Sequence, residues 1–287
     1  VIRATSARTR ATPGKERRWP IRDTIILTVF NRPELVLLNT LISVTKQDLA
    51  DTEVLIIDDG STVDYTDVRE MLDEWKLPYR WERIATLEHR PHTYNINGYN
   101  SPAYVNNRAA SMADGDNLFF LSSDTIIPPN TMGSARVWDL DKAVYTTRVV
   151  DMDSGVEWHG SSRIYPLYWF VGMSKALFNR IGGFDEEYLK GMAFDGADFS
   201  GRAALDTRKL VIDCGTLALH QTHELVAHSD GGAGFKASMA YTKKKWGGQT
   251  PWSSAEAPLN YTTSKAGDKI IVKPRPTELT LAALRAA

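Results

Sequence analysis

The chain has 287 residues, enough to bury a sizeable core as one large domain or two small ones. Its 34 Lys and Arg against 35 Asp and Glu give a formal charge of -1, which excludes nucleic-acid binding by net charge alone. One cysteine, Cys214, excludes an internal disulfide framework, and no apolar run approaches the ~20 residues of a membrane span.

Residues 1–22 form a basic, Ser/Thr-rich tail almost free of apolar side chains, and such like-charge blocks are usually solvated. Ile25, Ile26, Leu27 and Val29 then make a short strand-like run that Asn31-Arg32-Pro33 breaks. Leu35, Leu38, Leu41, Ile42 and Thr45 follow at helical spacing, with Glu34 in the first turn, where the helix dipole favours an anion. Val54 to Ile57 is a second apolar run ending in Asp58-Asp59-Gly60-Ser61. Strand, helix and strand in so short a span predict a βαβ unit with parallel strands buried on both faces. In open α/β sheets ligands sit beyond the carboxyl ends of the strands, so Phe30-Asn31-Arg32 and Asp58-Asp59 mark the expected site.

Downstream, Tyr65 to Trp75 predicts an amphipathic helix with Val68, Met71, Leu72 and Trp75 inward. Tyr79 to Ile84 predicts a strand, and Glu88 to Pro102 a polar, Asn/Gly-rich loop. Tyr104 to Met112 reads as helix and Asn117 to Leu121 as a buried strand feeding Ser122-Ser123-Asp124-Thr125. Pro128-Pro129 interrupts the chain before a helix over Thr131–Leu140, and Ala143 to Val150 is another strand. Asp151 to Tyr165 is polar and turn-rich, Tyr168 to Met173 is apolar, and a helix lies near Lys175–Ile181. A helix over Phe199–Thr207 would set Asp195 and Asp198 at its N-terminus. Leu210 to Asp213 reads as a short last strand, with His220, His223 and His228 in a polar loop beyond it. Gly234 to Trp246 predicts a helix, Lys269 to Val272 a strand, and Thr277 onward a final helix.

Four groups carry candidate chemistry. Asp58 and Asp59 end a strand ahead of Gly-Ser, where a turn explains them, yet paired carboxylates there also suit a base edge with a ring N–H. Asp124 is either a cap for the next helix or an oxygen ligand for Mg²⁺ or Mn²⁺ between phosphates. His220 and His223 are either structural or metal-binding. Asp195 and Asp198, at i and i+3, cannot both cap one helix, which favours a general base among them.

In this order, the segments ILTVFNRPELVLLNTLISV, EVLIIDDGSTVD, NNRAASMADGDNLFFLSSDTIIPP, FVGMSKALFNRIGGFDEEY and DGADFSGRA resemble the GT-A-fold glycosyltransferases of family 2. Those are inverting, nucleotide-sugar-dependent enzymes. The resemblance implies an α/β fold with a Rossmann-like single domain, a mostly parallel sheet flanked by helices, and a C-terminal helical extension. The expected organisation is a catalytic domain over 23–235, with a nucleotide-binding half at 23–125 and an acceptor-binding half at 126–235, then the extension over 236–287. It further implies that Val29, Phe30, Asn31, Arg32, Asp58, Asp59, Arg108 and Ser123 meet the nucleotide. Asp124, with His220 or His223, would hold Mn²⁺ or Mg²⁺, and Asp195 or Asp198 would be the base. Trp158, Tyr168 and Trp169 would line the acceptor side, where rings stack on sugars. Two positions depart from the family pattern: Ser122 and Gly196 stand where Asp is usual.

The implied activity is sugar transfer with inversion from a nucleotide-diphosphate sugar, UDP being the family's commonest base, to an acceptor hydroxyl on a glycan, an anionic polymer or a lipid-linked molecule. The alternatives are a non-catalytic nucleotide-sugar-binding protein and a nucleotidyltransferase, although the latter should carry a Gly-rich basic loop where this chain has FNRPEL. A dinucleotide oxidoreductase would need Gly-x-Gly-x-x-Gly at that turn, which is lacking. With no secretory leader near the start, the expected location is cytoplasmic, soluble or peripheral at a membrane. A homo-oligomer formed through the C-terminal extension completes the expectations.

Overall fold

The computed structural model describes residues 22–84, 102–160, 169–190, 194–207, 209–223, 233–247 and 261–274. The basic tail up to residue 21, the Asn/Gly-rich loop up to residue 101, Tyr168, His228 and the expected final helix lie outside these residues. The chain opens as its sequence predicts, with β1 (Asp23–Val29), α1 (Glu34–Thr45) and β2 (Thr52–Asp58). β1 and β2 pair in parallel from Asp23 opposite Thr52 to Val29 opposite Asp58. Ile26, Leu55 and Ile57 point to one face of the sheet, while Ile25, Leu27, Val54 and Ile56 point to the other. Both faces are covered, so these strands tolerate no polar alternation and read as unbroken apolar runs.

The elements that follow are α2 (Thr66–Glu74), β3 (Tyr79–Arg83), α3 (Pro102–Met112), β4 (Asn117–Ser122), β5 (Thr125–Ile126), α4 (Thr131–Arg136) and β6 (Val144–Asp151). Next come β7 (Glu157–His159), β8 (Phe170–Ser174), α5 (Lys175–Ile181), a 3₁₀ turn (Glu186–Lys190), α6 (Asp195–Thr207) and β9 (Leu210–His220). The described chain closes with α7 (Ala233–Lys245), β10 (Tyr261–Ala266) and β11 (Lys269–Pro274). One sheet runs β10-β11-β9-β6-β8-β4-β1-β2-β3, with β5 on β9 and β7 on β6. Helices α1, α2 and α4 cover one face through Leu37, Leu41, Val44, Val68, Leu72, Met132 and Ala135. Helices α3, α5 and α6 cover the other, joined by Trp246 at the end of α7. Full burial of a Leu or Val side chain contributes about 1.5–3 kcal/mol, so each helix is held mainly by its few core positions.

The pairings fix which strand ends meet. β1, β2, β3 and β4 are mutually parallel, β8 runs against β4 and β6, and β6 is parallel to β9. The C-terminal ends of β1, β2, β4, β6 and β9 therefore share one rim. Val29, Asp58, Ser122, Asp151 and His220 stand along it, and Trp169 enters it just ahead of β8.

Several elements differ from the sequence reading. In α1 the buried stripe is Leu37, Thr40, Leu41 and Val44, while Leu35 is 70% exposed and Ile42 half-exposed. The helix is apolar all round, so spacing alone does not choose the face. Met71 on α2 and Trp75 at its C-terminal end are likewise part-exposed, and Val68 and Leu72 make the core contact. α4 stops at Arg136 rather than Leu140. The C-terminal extension contributes a hairpin as well as a helix, β11 pairing with β9.

β9 differs most. It continues to His220, well past Asp213, because the ladder to β6 skips residues: Thr147 faces Asp213, but Arg148 faces Leu217. The looped-out Cys214-Gly215-Thr216 is a bulge of the kind that re-aims a strand. Asp213, almost fully buried, organises it. Its carboxylate accepts from the Gly215 N–H at 3.1 Å, the Thr216 hydroxyl at 3.0 Å and the Tyr145 hydroxyl at 2.7 Å. Lys269 of β11 supplies the counter-charge at 3.3 Å. Burial first, and the Asp213 carboxylate second, push the Tyr145 phenol well above its usual range. Replacing Asp213 by Ala leaves a buried hydroxyl and an ammonium without their acceptor. The expected loss is about 3 kcal/mol in urea or thermal unfolding.

Candidate functional site

The loops after β1 and β2 are tied together before any ligand is considered. Asn31 sits in the left-handed region at φ 45°, which Asn tolerates better than most residues. Its N–H donates to Ser61 Oγ at 2.9 Å, and its Oδ1 accepts from the Thr62 N–H at 2.7 Å and the Thr62 hydroxyl at 3.0 Å. Asp58 Oδ1 accepts from the Ser61 N–H at 2.8 Å, and its other oxygen lies 3.4 Å from Arg83. The turn reading therefore holds for Asp58, with an ion pair added to it. Asp59 is buried beside it, and its N–H donates to Val29 O at 2.9 Å. Val29 is buried and Phe30 half-buried at the same strand end. Arg108 projects from the exposed face of α3.

At the end of β4 the chain makes a denser cluster. Asp124 Oδ1 accepts from the Ser122 hydroxyl at 2.6 Å. Its Oδ2 lies 3.0 Å from Arg32 Nη2, 3.0 Å from His223 Nε2 and 3.8 Å from His220 Nε2. Arg32 Nε also donates to Ser123 Oγ at 3.3 Å. Burial would push the Asp124 carboxyl up, but the His223 hydrogen bond, the Arg32 guanidinium, the neighbouring His220 imidazole and the Ser122 hydroxyl together outweigh it. They hold it well below the ordinary carboxylate range. Asp124 thus stays charged through the physiological range, and its share of stability is lost only in strong acid, as pH falls through the depressed folded value.

The two histidines reach Asp124 from a strand end and the turn after it, not from one helix face. His220 closes β9, opposite both Asp151 on β6 and Thr125 on β5. Gln221, 4% exposed, locks the next residues. Its N–H donates to Asp124 O at 2.8 Å and its side chain donates to Val36 O at 2.9 Å, while Asn39 donates back to it at 2.9 Å. Asp151 Oδ2 lies 3.3 Å from His220 Nδ1. A proton on Nδ1 leaves the Nε2 lone pair directed at the cluster, the tautomer that metal-binding histidines use. Sequence reading passed over Asp151 and Gln221. Asp151 shares with Asp58 and Asp124 the position of a carboxylate closing an apolar strand. Gln221 carries no local signal.

Aromatic rings border the cluster. The Trp169 centroid is 5.9 Å from that of His220, and Trp158, 37% exposed, is 6.0 Å from Trp169. Helix α6 returns the chain to the start of β9, so by connectivity its first turn is the end directed towards the rim. Phe194, just before it, has φ 68°, a region a bulky residue seldom adopts, and packs on the Phe235 ring of α7 at 5.0 Å. Burial pushes the carboxyl of the following Asp195 above the ordinary value, against the Gly196 N–H, and the negative Asp198 adds to the rise.

A sequence profile described as glycosyl transferase family 2 matches residues 24–194, more than half of the chain. The chain belongs to that family. No curated protein matches. Among solved structures, TarS of S. aureus with UDP-GlcNAc is similar at TM-score 0.58 and 19% identity, over 72% of this chain and 60% of that one. The mannosyltransferase PcManGT from Pyrobaculum calidifontis, with GDP-Man and Mn²⁺, is similar at 0.52 and 16% identity, over 75% and 61%. GalNAc-T7 with UDP, GalNAc and Mn²⁺ matches at 0.55 and 13%, over 72% and 44%. The matched part thus spans about 60% of the first two and less than half of the third. These likenesses show the GT-A fold, and among the described residues no helix is long and apolar enough to cross a membrane.

The donor set of this family-2 chain suits a divalent ion. Asp124, His220 and His223 each offer one ligand atom, all within 4.8 Å of one another. One carboxylate oxygen and two imidazole nitrogens, one imidazole oriented by a carboxylate behind it, form a set that binds first-row divalent metals.

Asp198 has a different environment from Asp195. It is fully buried, with Arg202 at 2.8 Å, Lys245 at 2.9 Å and the Trp246 N–H at 2.9 Å on its two oxygens. Asp198→Asn removes the charge that two buried cations share. The mutant should lose about 3 kcal/mol or more in chemical denaturation, because breaking a buried pair leaves uncompensated charge.

Proposed function

We propose that the protein is a glycosyltransferase that moves a sugar from a nucleoside-diphosphate donor to an acceptor hydroxyl with inversion. The observation that carries this reading is the Asp124–His220–His223 cluster on the C-terminal rim of a family-2 sheet. A UDP-sugar is the proposed donor, and the reaction is placed in the cytoplasm or at a membrane surface.

In this reading the loops at Val29–Arg32 and Asp58–Asp59 receive the nucleotide, with Ser123 and Arg108 on its phosphate side. Asp124, His220 and His223 hold Mn²⁺ or Mg²⁺, which when bound offsets the charge that develops on the departing diphosphate. Trp158 and Trp169 offer ring faces to the acceptor. Asp195 takes the proton from the acceptor hydroxyl. The oxygen then bonds to the anomeric carbon from the side opposite the diphosphate, the carbon–oxygen bond to the diphosphate breaks, and the configuration inverts. Asp195 is preferred to Asp198 as base because both oxygens of Asp198 are already engaged by Arg202, Lys245 and Trp246.

Two measurements test this reading. Thermal shift against UDP and GDP, with and without Mn²⁺, should select one nucleotide and show metal dependence, since selective binding raises apparent stability. Release of that nucleotide from its sugar donor should then be lost in Asp124→Ala; equal release in both proteins would remove the metal-site role. A chain that binds the nucleotide but never releases it would instead be a binding protein.

The pH profile tests the base. Asp195 works only when deprotonated and its carboxyl is raised, so kcat/KM should climb with pH through a value above the ordinary 3.8. Asp195→Asn should abolish that limb and lower kcat by about 10²–10⁴.

A further inference from the structure

Three polar groups crowd one point on the rim. Arg32 Nη2 and His223 Nε2 each lie 3.0 Å from Asp124 Oδ2, and Arg32 Nη1 is 2.5 Å from His223 Nε2. Guanidinium nitrogens only donate, and an imidazole nitrogen either donates or accepts. With a proton on Nε2, His223 satisfies Asp124 but turns its N–H against that of Arg32. Without that proton, it accepts from Arg32 but turns its lone pair on the carboxylate. No state of His223 satisfies all three contacts.

A divalent ion would resolve this conflict, since it takes lone pairs from Oδ2 and Nε2 together. It cannot do so while a guanidinium covers the same two acceptors, because both claimants are positive. We propose that Arg32 is an internal cation of this site, holding Asp124 and His223 in the ion's stead, and that ion binding displaces its side chain. The proposal rests on the reading of Asp124, His220 and His223 as metal ligands.

The surroundings of Arg32 suit a side chain that moves while its backbone stays. The Tyr65 hydroxyl donates to Arg32 O at 2.8 Å and pins the main chain. The side chain is 18% exposed, and its further hydrogen bond among the described residues is the 3.3 Å one to Ser123 Oγ. The cluster is therefore charge-compensated without a metal, and the ion alone should bind weakly.

The test is Mn²⁺ affinity of the full chain without nucleotide, read from the electron paramagnetic resonance signal of free Mn²⁺. Arg32→Met should bind Mn²⁺ about tenfold more tightly than wild type, equivalent to about 1.4 kcal/mol. Arg32→Lys, which keeps the charge but loses the planar fork, should fall between them and serves if the Met variant folds poorly. Unchanged or weaker affinity in the folded variants overturns the displacement while leaving the metal reading intact. Absence of Mn²⁺ binding in wild type and both variants overturns the two together.

Discussion

The rim depends on the parallel ladder between β6 and β9 surviving its own interruption. If the register of Val144 opposite Leu210 ran on unbroken, Asp151 would meet Leu217 instead of His220. An odd slip in a strand also turns every later side chain to the opposite face. The bulge at Cys214-Gly215-Thr216 absorbs the extra residues, and the Asp213 carboxylate holds it closed through Tyr145, Thr216 and the Gly215 N–H. An aspartate at the foot of the strand thus determines where an imidazole stands at its head. The same strand carries the β10–β11 hairpin on its other side, so the sheet edge and the site share a support.

Charge at the rim is arranged in pairs that cross between elements. Arg83 of β3 answers Asp58 of β2, Arg32 of the first loop answers Asp124 beyond β4, and Asp151 of β6 backs His220 of β9. Each pair joins segments far apart in sequence. The backbone does similar work: Gln221 N–H to Asp124 O, and the Thr40 hydroxyl to Ser123 O, fasten the end of β4 to β9 and α1. A cluster so fastened keeps its carboxylate ionised in a buried place, which is what a cation site requires.

Much of this was legible in the chain. The runs at Ile25–Val29, Val54–Ile57 and Asn117–Leu121 gave their strands because parallel strands covered on both faces have no polar side. Topology then put their terminal residues where ligands gather. The outward face of α1 was not legible, since Leu35 and Ile42 are as apolar as Leu37 and Leu41. The far half of β9 is not legible, since Cys214-Gly215-Thr216 interrupts the apolar run, and only the pairing with β6 carries the strand through. The surroundings of Asp198 were hidden for another reason: its partners Lys245 and Trp246 lie at the far end of α7. Spacing near Asp198 carries no trace of them.

That last arrangement bears on how the chain can be divided. Phe235 packs on the ring before Asp195, Tyr241 donates to Asp185, and Lys245 bridges Asp185 and Asp198. A shortened chain ending ahead of α7 would keep every rim side chain and the whole family-matched segment. It would also leave the buried Asp198 with Arg202 but without Lys245 and the Trp246 N–H, and take the Phe235 ring away from Phe194. The C-terminal region is therefore a keystone for the segment bearing Asp195, and any boundary drawn for a minimal domain belongs beyond Trp246.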